Sequence, residues 1–401
     1  MRILVITQYY RPEQFKVNDI CEALVESGHS VTVLTGRPNY PSGKLFQGYN
    51  LFNKKRECIN GVNVIRTFEI PRKKSVLFLA LNYLSFLISS TCRSVFMKRR
   101  YDVVYVYQLS PVYSILPGWI SRIRNKVPLY VYVCDIWPDS LKNIIKNEKN
   151  ILYRLNSSFS GYLYRKADAI GVTSPPFINY LSIKHKVEKS KVTFIPQHAE
   201  KELLEIGLPE NNGIVDFMFM GNIGLIQDID TIINAVELIK NESGFLVHFV
   251  GDGSYYQTAQ EIVKEKQLQE KIIFHGRHDF SKMKEFYSIA DVCVLTLKSQ
   301  SVVGDTIPSK LQGYMAAGRP VVAAINGAAA DVIIESNCGL VTTAGNYEKF
   351  AILLKQMIVS TSLKKLGSNG RKYFINNYTL EQHINSLLMD LDKLIMEDKN
   401  V

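Results

Sequence analysis

The chain lacks the features that mark small secreted or metal-stapled domains. Its six cysteines (Cys21, Cys58, Cys92, Cys134, Cys293 and Cys338) are scattered, with no CxxC pair. That pattern argues against a disulfide framework and a zinc ribbon, and for reduced thiols in a cytosolic protein. Acidic residues are scarce early on: residues 1–200 hold 29 Lys/Arg against 13 Asp/Glu, a balance of +16. The remainder holds 19 against 24, a balance of −5. A basic half implies an anionic partner (nucleic acid, a membrane surface or a phosphorylated acceptor), or simply a solvated basic surface. No aromatic-basic RNA motif accompanies it, which weighs against nucleic acid. Gln8–Pro12 contains no glycine, so the GxGxxG dinucleotide fingerprint is absent after the first apolar run. Met1-Arg2-Ile3-Leu4 runs straight into that apolar segment, so no signal peptide is expected. The apolar run Val76–Ile88 is broken by Asn82 and Ser85 and followed by Ser89, Ser90 and Thr91. It falls short of the about 20 apolar residues of a spanning helix. Two readings remain for it: a crossover helix packed in the core, or a helix in the headgroup layer with basic flanks (Arg72-Lys73-Lys74 and Lys98-Arg99-Arg100) on anionic lipid.

What the chain does contain is alternation. At 401 residues it suggests two domains. Strand-length apolar runs at Arg2–Gln8, His29–Thr35, Val62–Phe68, Val103–Tyr107, Leu129–Val133, Ala169–Thr173 and Val192–Ile195 alternate with helical patterns. A second series follows at Phe217–Met220, Phe245–Val250, Ile272–Phe274, Val292–Leu295 and Val321–Ala324. Near-continuous apolar strands are expected of parallel sheets with helices on both faces, so the fold class is α/β with two doubly wound units. Ala167-Asp168-Ala169-Ile170-Gly171-Val172-Thr173 is echoed by Ala290-Asp291-Val292-Cys293-Val294-Leu295-Thr296. The expected division is 1–197, 198–375 and a C-terminal helix, 376–401, packing back toward the N-terminal domain. In such a design a ligand lies outside the carboxyl ends of the strands.

The segment Asp305-Thr306-Ile307-Pro308-Ser309-Lys310-Leu311-Gln312-Gly313-Tyr314-Met315-Ala316-Ala317-Gly318-Arg319-Pro320 reads as loop, helix and stop before the strand Val321–Ala324. A helix that starts so sharply leaves N–H groups and partial positive charge at its first turn. That end can hold a phosphate, with Ser309 and Lys310 adding a hydroxyl and an ammonium. The alternative is an ordinary amphipathic helix leading into a core strand.

Three segments together resemble a known family. Gln8-Tyr9-Tyr10-Arg11-Pro12-Glu13, with Gly28-His29 and Arg37-Pro38-Asn39-Tyr40-Pro41-Ser42-Gly43, is similar to the acceptor half of retaining GT-B glycosyltransferases of family 4. Phe219-Met220-Gly221-Asn222-Ile223-Gly224 resembles the start of their donor half, and the segment from Asp305 resembles their donor-binding helix. Asp135-Ile136-Trp137-Pro138 and Gln227 look most like the WbuB/WcaI-type enzymes of bacterial surface-polysaccharide synthesis, transferases of L-fucosamine or fucose. The resemblance covers essentially the whole chain. It implies a GT-B fold, two Rossmann-like doubly wound domains facing across a cleft. It also implies a retaining, metal-independent transferase in O-antigen or capsule synthesis. This would move a sugar, N-acetyl-L-fucosamine among the candidates, from a UDP-sugar to a polyprenyl-diphosphate-linked saccharide. No cofactor beyond that donor substrate is implied, and the protein is expected in the cytoplasm, peripheral on the inner face of the membrane.

The resemblance assigns donor contacts to Gly221, Asn222, Gln227, Gly251, Gly253, Gly276, Arg277 and Ser309. Catalytic duties fall to Asp135, Lys310 and Asp305, and acceptor contacts to Arg11, Glu13, Lys16 and Ser110. Asn222 and Gln227 stand where the family usually has Arg and Lys facing the pyrophosphate. In its two-glutamate motif, Asp305 replaces the first Glu and Gly313 the second, which shifts phosphate neutralisation toward Lys310 and the helix end. Asp135, just past Leu129–Val133, could orient or deprotonate an acceptor hydroxyl, or cap a helix near Pro138. Ser110, Glu13, Arg11 and Lys16 lie at neighbouring strand ends; Glu13 could bind an acceptor sugar, and Arg11 and Lys16 an acceptor diphosphate, or each is a solvated loop residue. Asp228-Ile229-Asp230 spells DxD but opens a helix, where acids are favoured anyway. His198 and His275 stand apart from other ligands in sequence, so no metal is expected. The competing functions are a nucleotide-sugar epimerase on the same plan and a non-catalytic nucleotide binder.

Overall fold

The computed structural model describes residues 1–50, 53–73, 75–97, 101–143, 147–299, 304 and 306–399. The chain divides into two compact units, Met1–Gln197 with His383–Val401, and His198–Gln382. The first unit carries strands β1 (Arg2–Ile6), β2 (Ser30–Thr35), β3 (Arg56–Ile59), β4 (Val62–Arg66), β5 (Val103–Gln108), β6 (Leu129–Val133), β7 (Ala169–Val172) and β8 (Val192–Phe194). Its helices are α1 (Lys16–Glu26), α2 (Val76–Val95), α3 (Ile115–Asn125), α4 (Ile151–Tyr164) and α5 (Pro176–His185). The sheet order is β3-β4-β2-β1-β5-β6-β7-β8, parallel except for the β3–β4 pair. The order reverses between β1 and β5, so the loops after these strands flank the switch point where doubly wound sheets bind ligands.

Burial explains the strand composition. Every residue of β5 and β6 is buried, as a strand covered on both faces requires. Tyrosines bring polar tips into that core. The Tyr105 and Tyr130 rings lie 5.9 Å apart, and those of Tyr107 and Tyr132 5.6 Å. A Cβ on Gly171 of β7 would fall 2.3 Å from the Tyr130 hydroxyl, so this glycine opens the path by which Tyr130 crosses β7. Helix α1 buries Val17, Ile20, Cys21 and Leu24, an apolar stripe at helical spacing.

The second unit carries β9 (Val215–Met220), β10 (Phe245–Val250), β11 (Ile272–Gly276), β12 (Val292–Thr296), β13 (Val321–Ala324) and β14 (Gly339–Thr342). Its helices are α6 (Ile229–Leu238), α7 (Tyr256–Glu265), α8 (Phe280–Ile289), α9 (Ser309–Ala316), α10 (Ala328–Glu335), α11 (Tyr347–Ile358) and α12 (Leu363–Asn377). The sheet order is β11-β10-β9-β12-β13-β14, with every adjacent pair parallel. Its switch point lies between β9 and β12. Phe217, Phe219, Val247 and Phe249 pack there with Ile232, Val236 and Leu354.

Two strands were not expected. β3 is a short, half-exposed edge strand without an apolar run. Its signal is the turn: Asn60 and Gly61 both have positive φ, 49° and 79°, the two-residue hairpin geometry that Asn-Gly favours. β14 opens with Gly339, where a Cβ would lie 1.8 Å from the Val321 carbonyl oxygen. The C-terminal boundary also differs from the expected 375/376. Tyr378 is buried and its carbonyl accepts from the Ala199 N–H at 3.4 Å, so residues up to Gln382 stay with the second unit.

Helix α13 (Leu380–Lys399) joins the first unit from His383 onward. Its anchors are hydrogen bonds from His383 Nδ1 to the Pro196 carbonyl at 2.9 Å and from the Tyr130 hydroxyl to Asp390 at 2.9 Å. Replacing Tyr130 by Phe removes the second anchor and should cost about 1 kcal/mol. Chemical denaturation followed by tryptophan emission reads this directly, because both tryptophans, Trp119 and Trp137, lie in the first unit. An unchanged midpoint would show that the Tyr130–Asp390 bond does not hold α13.

Candidate functional site

In the second unit the site is assembled where β9 and β10 end. Gly221 has a φ of 122° and Gly251 one of 148°. A Cβ on Gly251 would sit 1.8 Å from the Gly221 carbonyl oxygen, and one on Gly253 2.4 Å from that of Ile223. The two loops therefore touch backbone to backbone. Their amides are spent in doing so: Gly221 donates to Val250, Ile223 to Asp252, Tyr255 to Ile223 and Gly251 to Gly276. Gly253 donates to the Asp252 side chain at 2.7 Å. The amides of Gly221, Gly251 and Gly253, expected among the donor contacts, are thus engaged within the loops; these glycines permit the close approach of the two loops instead.

Lys310, the second residue of α9, lies across Gly221, where a Cβ would come within 2.7 Å of its Cε. Its ammonium sits 3.7 Å from the centre of the Phe219 ring and donates to the Asn222 carbonyl at 3.4 Å. Burial pushes the Lys310 pKa down to about 7. Helix α9 is pinned in this position by Tyr314, whose hydroxyl accepts from the Met220 N–H at 3.1 Å. Pro308 precedes the helix with extended backbone and no side-chain cap, and Ser309 is exposed. A half-desolvated ammonium beside an uncapped helix start is suited to an anion.

The remaining donor candidates divide. Asn222 Nδ2 and the Gly224 N–H both donate to Gln227 Oε1 at 3.1 Å, so Asn222 and Gln227 clip the loop where the family pattern places cations. Gly276 has a φ of 72° and its carbonyl receives Gly251, while Arg277 beyond it is exposed. Gly313 faces inward, with a Cβ position 2.7 Å from the Tyr287 hydroxyl, which leaves no room for a longer side chain. Asp305 lies outside the described residues. The DxD carboxylates bond separately, Asp228 to Thr231 at 2.7 Å and Asp230 to the Tyr255 hydroxyl at 2.7 Å. His275 is not isolated: it bonds His248 at 2.9 Å, which bonds Asp216 at 2.8 Å. The three sit on adjacent strands far apart in sequence, so only sheet order could reveal them.

In the first unit Asp135 follows β6 and accepts the Ser110 N–H at 3.0 Å. Trp137 Nε1 donates to Ser110 Oγ at 2.8 Å. Asp135 thus bridges two strand-end loops and does not cap a helix, and burial raises its pKa. Nearby loops present an aromatic cluster. Tyr9 and Phe15 stack at 5.0 Å, Tyr40 lies 5.6 Å from Tyr9, and the Arg72 guanidinium is 5.2 Å over Tyr40. Arg11 is corrected as a diphosphate ligand, since its guanidinium forks onto the Glu22 carboxylate. Glu13 is buried and accepts the Asn39 and Tyr40 N–H groups at 2.8 and 2.7 Å; it shapes the Tyr40 loop instead of meeting a sugar. Lys16 is half-exposed at the first position of α1.

Beneath these loops lies a buried network that composition and spacing did not signal. Glu69 accepts from Gln8 Nε2 at 2.8 Å and from Asn82 Nδ2 at 2.5 Å, and Asn82 also reaches the Ile70 carbonyl at 2.7 Å. A Cβ on Gly36 would overlap the Glu69 carboxyl, so only glycine leaves space for it.

Comparison with known proteins matches this architecture half by half. Residues 15–198 match the family described as glycosyl transferase 4-like domain, and residues 200–373 the family described as glycosyl transferases group 1. Both halves of the chain belong to glycosyltransferase families. The chain is 26% identical over 293 residues to the protein named glycosyltransferase WbjE of Pseudomonas aeruginosa, covering 70% of this chain and 72% of that one. It is 24% identical over 341 residues to the protein named colanic acid biosynthesis glycosyl transferase WcaI of Escherichia coli K12, covering 79% and 82%. The crystal structure of HepE from Anabaena with UDP and glucose superposes with a TM-score of 0.70 at 15% identity, covering 98% of this chain and 99% of that one. The glycosyltransferase has the GT-B fold.

Burial holds the carboxyl of Glu13 up to about 7 and that of Glu69 up to about 8. Both lie above an unfolded carboxyl near about 4.3. Between these values the folded state keeps protons that the unfolded chain has released. Their contribution to the stability of the first unit should therefore be fully present below about pH 4.3 and fall as pH rises toward about 8. Glu69→Gln should flatten the upper part of that slope in denaturation followed by tryptophan emission from pH 5.5 to 8.5. A slope identical to that of the unaltered protein would contradict the assignment.

Proposed function

We propose that this glycosyltransferase moves a sugar from a UDP-sugar to a polyprenyl-diphosphate-linked saccharide during synthesis of a bacterial surface polysaccharide. The observation that carries the reading is Lys310 lying over Gly221 and Phe219 at the uncapped start of α9. Support also comes from the names of its relatives WbjE and WcaI and from the UDP held by HepE. The reaction retains configuration at the sugar and uses no metal. Ser309, Lys310 and the first-turn amides of α9 hold the diphosphate and stabilise charge as it departs. Asp135 orients the acceptor hydroxyl. The bond from the sugar carbon to the phosphate oxygen breaks as the bond to the acceptor oxygen forms, and the departing phosphate takes the hydroxyl proton. An N-acetyl-L-fucosamine donor is the finer form of the proposal.

Purified protein should be offered a panel of UDP- and GDP-sugars with a polyprenyl-diphosphate-GlcNAc acceptor. The expected result is release of UDP with label in the lipid fraction. Donors left intact in the presence of acceptor would sink the transferase reading, and sugar interconversion without acceptor would favour an epimerase. Lys310→Ala should weaken UDP binding by about tenfold or more, the scale of a charge-assisted contact. Unchanged affinity would remove Lys310 from the diphosphate site.

A further inference from the structure

Helix α2 is inside-out. Its buried positions recur every fourth residue as Asn82, Phe86, Ser90 and Ser94, three of the four polar. The opposite stripe, Leu77, Ala80, Leu84, Ile88, Cys92 and Val95, is exposed throughout and carries no charge. Leu77 is 67% exposed, Leu84 49% and Ile88 55%. Phe68 and Phe96 extend this surface, at 48% and 78%. A surface helix in water has the reverse arrangement. Burying the leucine and isoleucine stripe would remove apolar surface from water, so the exposed stripe calls for a nonaqueous neighbour.

The inner face is not exchangeable for the outer one. Asn82 is bonded to Glu69 and the Ile70 carbonyl at 2.5 and 2.7 Å, and Ser85 accepts the Ile70 N–H at 2.9 Å. Ser89 donates to the Phe68 carbonyl at 2.5 Å, which holds Phe68 on the outer side. By length and composition α2 could cross a membrane, but these bonds fasten one side of it to the domain along its length. It can only lie flat.

The charge pattern identifies the neighbour. In sequence, residues 70–101 contain Arg72, Lys73, Lys74, Arg93, Lys98, Arg99 and Arg100 and no Asp or Glu; Lys74 and Lys98-Arg99-Arg100 lie outside the described residues. An apolar stripe between basic flanks complements a bilayer bearing anionic headgroups, whose acyl boundary takes the stripe and whose phosphates take the flanks. We propose that α2, with Phe68 and Phe96, docks this unit on an anionic membrane surface, the helix lying in the interfacial plane. The docking face rests on this one helix and does not depend on the donor assignment. Through Asn82 and Glu69 it is fastened directly beneath the Tyr9 and Tyr40 loops.

The test is flotation with vesicles of phosphatidylcholine alone or mixed with phosphatidylglycerol. The full chain should float with the mixed vesicles, and the double variant Leu84→Glu, Ile88→Glu should lose about tenfold or more of that binding. Both substitutions are at exposed positions, so thermal unfolding should be unchanged. A second readout uses the unaltered helix: an environment-sensitive fluorophore on Cys92, in a Cys58→Ser background, should brighten and shift to the blue with mixed vesicles. No flotation of the full chain, equal flotation of the variant, or an unchanged Cys92 signal would overturn the proposal. So would a dimer in sedimentation that the double variant dissociates while no vesicle binds, since the face would then belong to a second copy.

Discussion

The donor half of this protein depends on a backbone contact that a single methyl group would break. Gly251 meets the carbonyl of Gly221 with no space for a Cβ, and both residues adopt positive φ. That contact brings the ends of β9 and β10 together and leaves a bare strip of backbone at Gly221. Lys310 crosses that strip. Any larger residue at 221 would push against its Cε; the Phe219 ring lies beneath its ammonium, and burial lowers its proton affinity. Tyr314 then fixes the distance between α9 and β9. The cation is positioned by what glycine leaves out as much as by what surrounds it.

The acceptor half is organised by a different constraint, the burial of polar groups. Glu13 accepts two loop amides, and one oxygen of Glu69 accepts from the side-chain amides of Gln8, Asn82 and Asn39. A buried carboxyl with such partners is costly to disturb, so the loops after β1 and β2 and the inner face of α2 hold one another in place. Placing Asn82 inward forces the apolar residues of α2 outward. The polar network under the acceptor loops and the exposed apolar stripe are two sides of one helix.

Much of the architecture was legible from residue patterns because parallel strands buried on both faces are continuous apolar runs. β5 and β6 are obvious in this way. β3 was not, because an exposed edge strand has no such run and only Asn60-Gly61 announces it. The segment around Lys310 was legible because proline and glycine bracket a short helix. The roles of the donor-loop glycines were not, because the sequence shows that a glycine is present but not whether its amide faces a ligand or another strand. Likewise Arg11 looked available until the fold brought Glu22, one helical turn on from Asp19, beside it. Asp216, His248 and His275 meet only because β9, β10 and β11 are neighbours. Long-range pairing carries what local pattern cannot.

In the function proposed above, Lys310 is a half-desolvated ammonium kept for a diphosphate. A lysine whose pKa is near 7 is largely neutral at pH 8, and a bound diphosphate favours its charged form. Binding must therefore draw a proton from solution. Calorimetric titration of UDP at pH 8 in buffers of different ionisation enthalpy measures that proton directly. If Lys310 serves the diphosphate, the uptake approaches one proton per UDP bound and is absent in Lys310→Ala; UDP binding with no proton uptake in the unaltered protein would contradict that role.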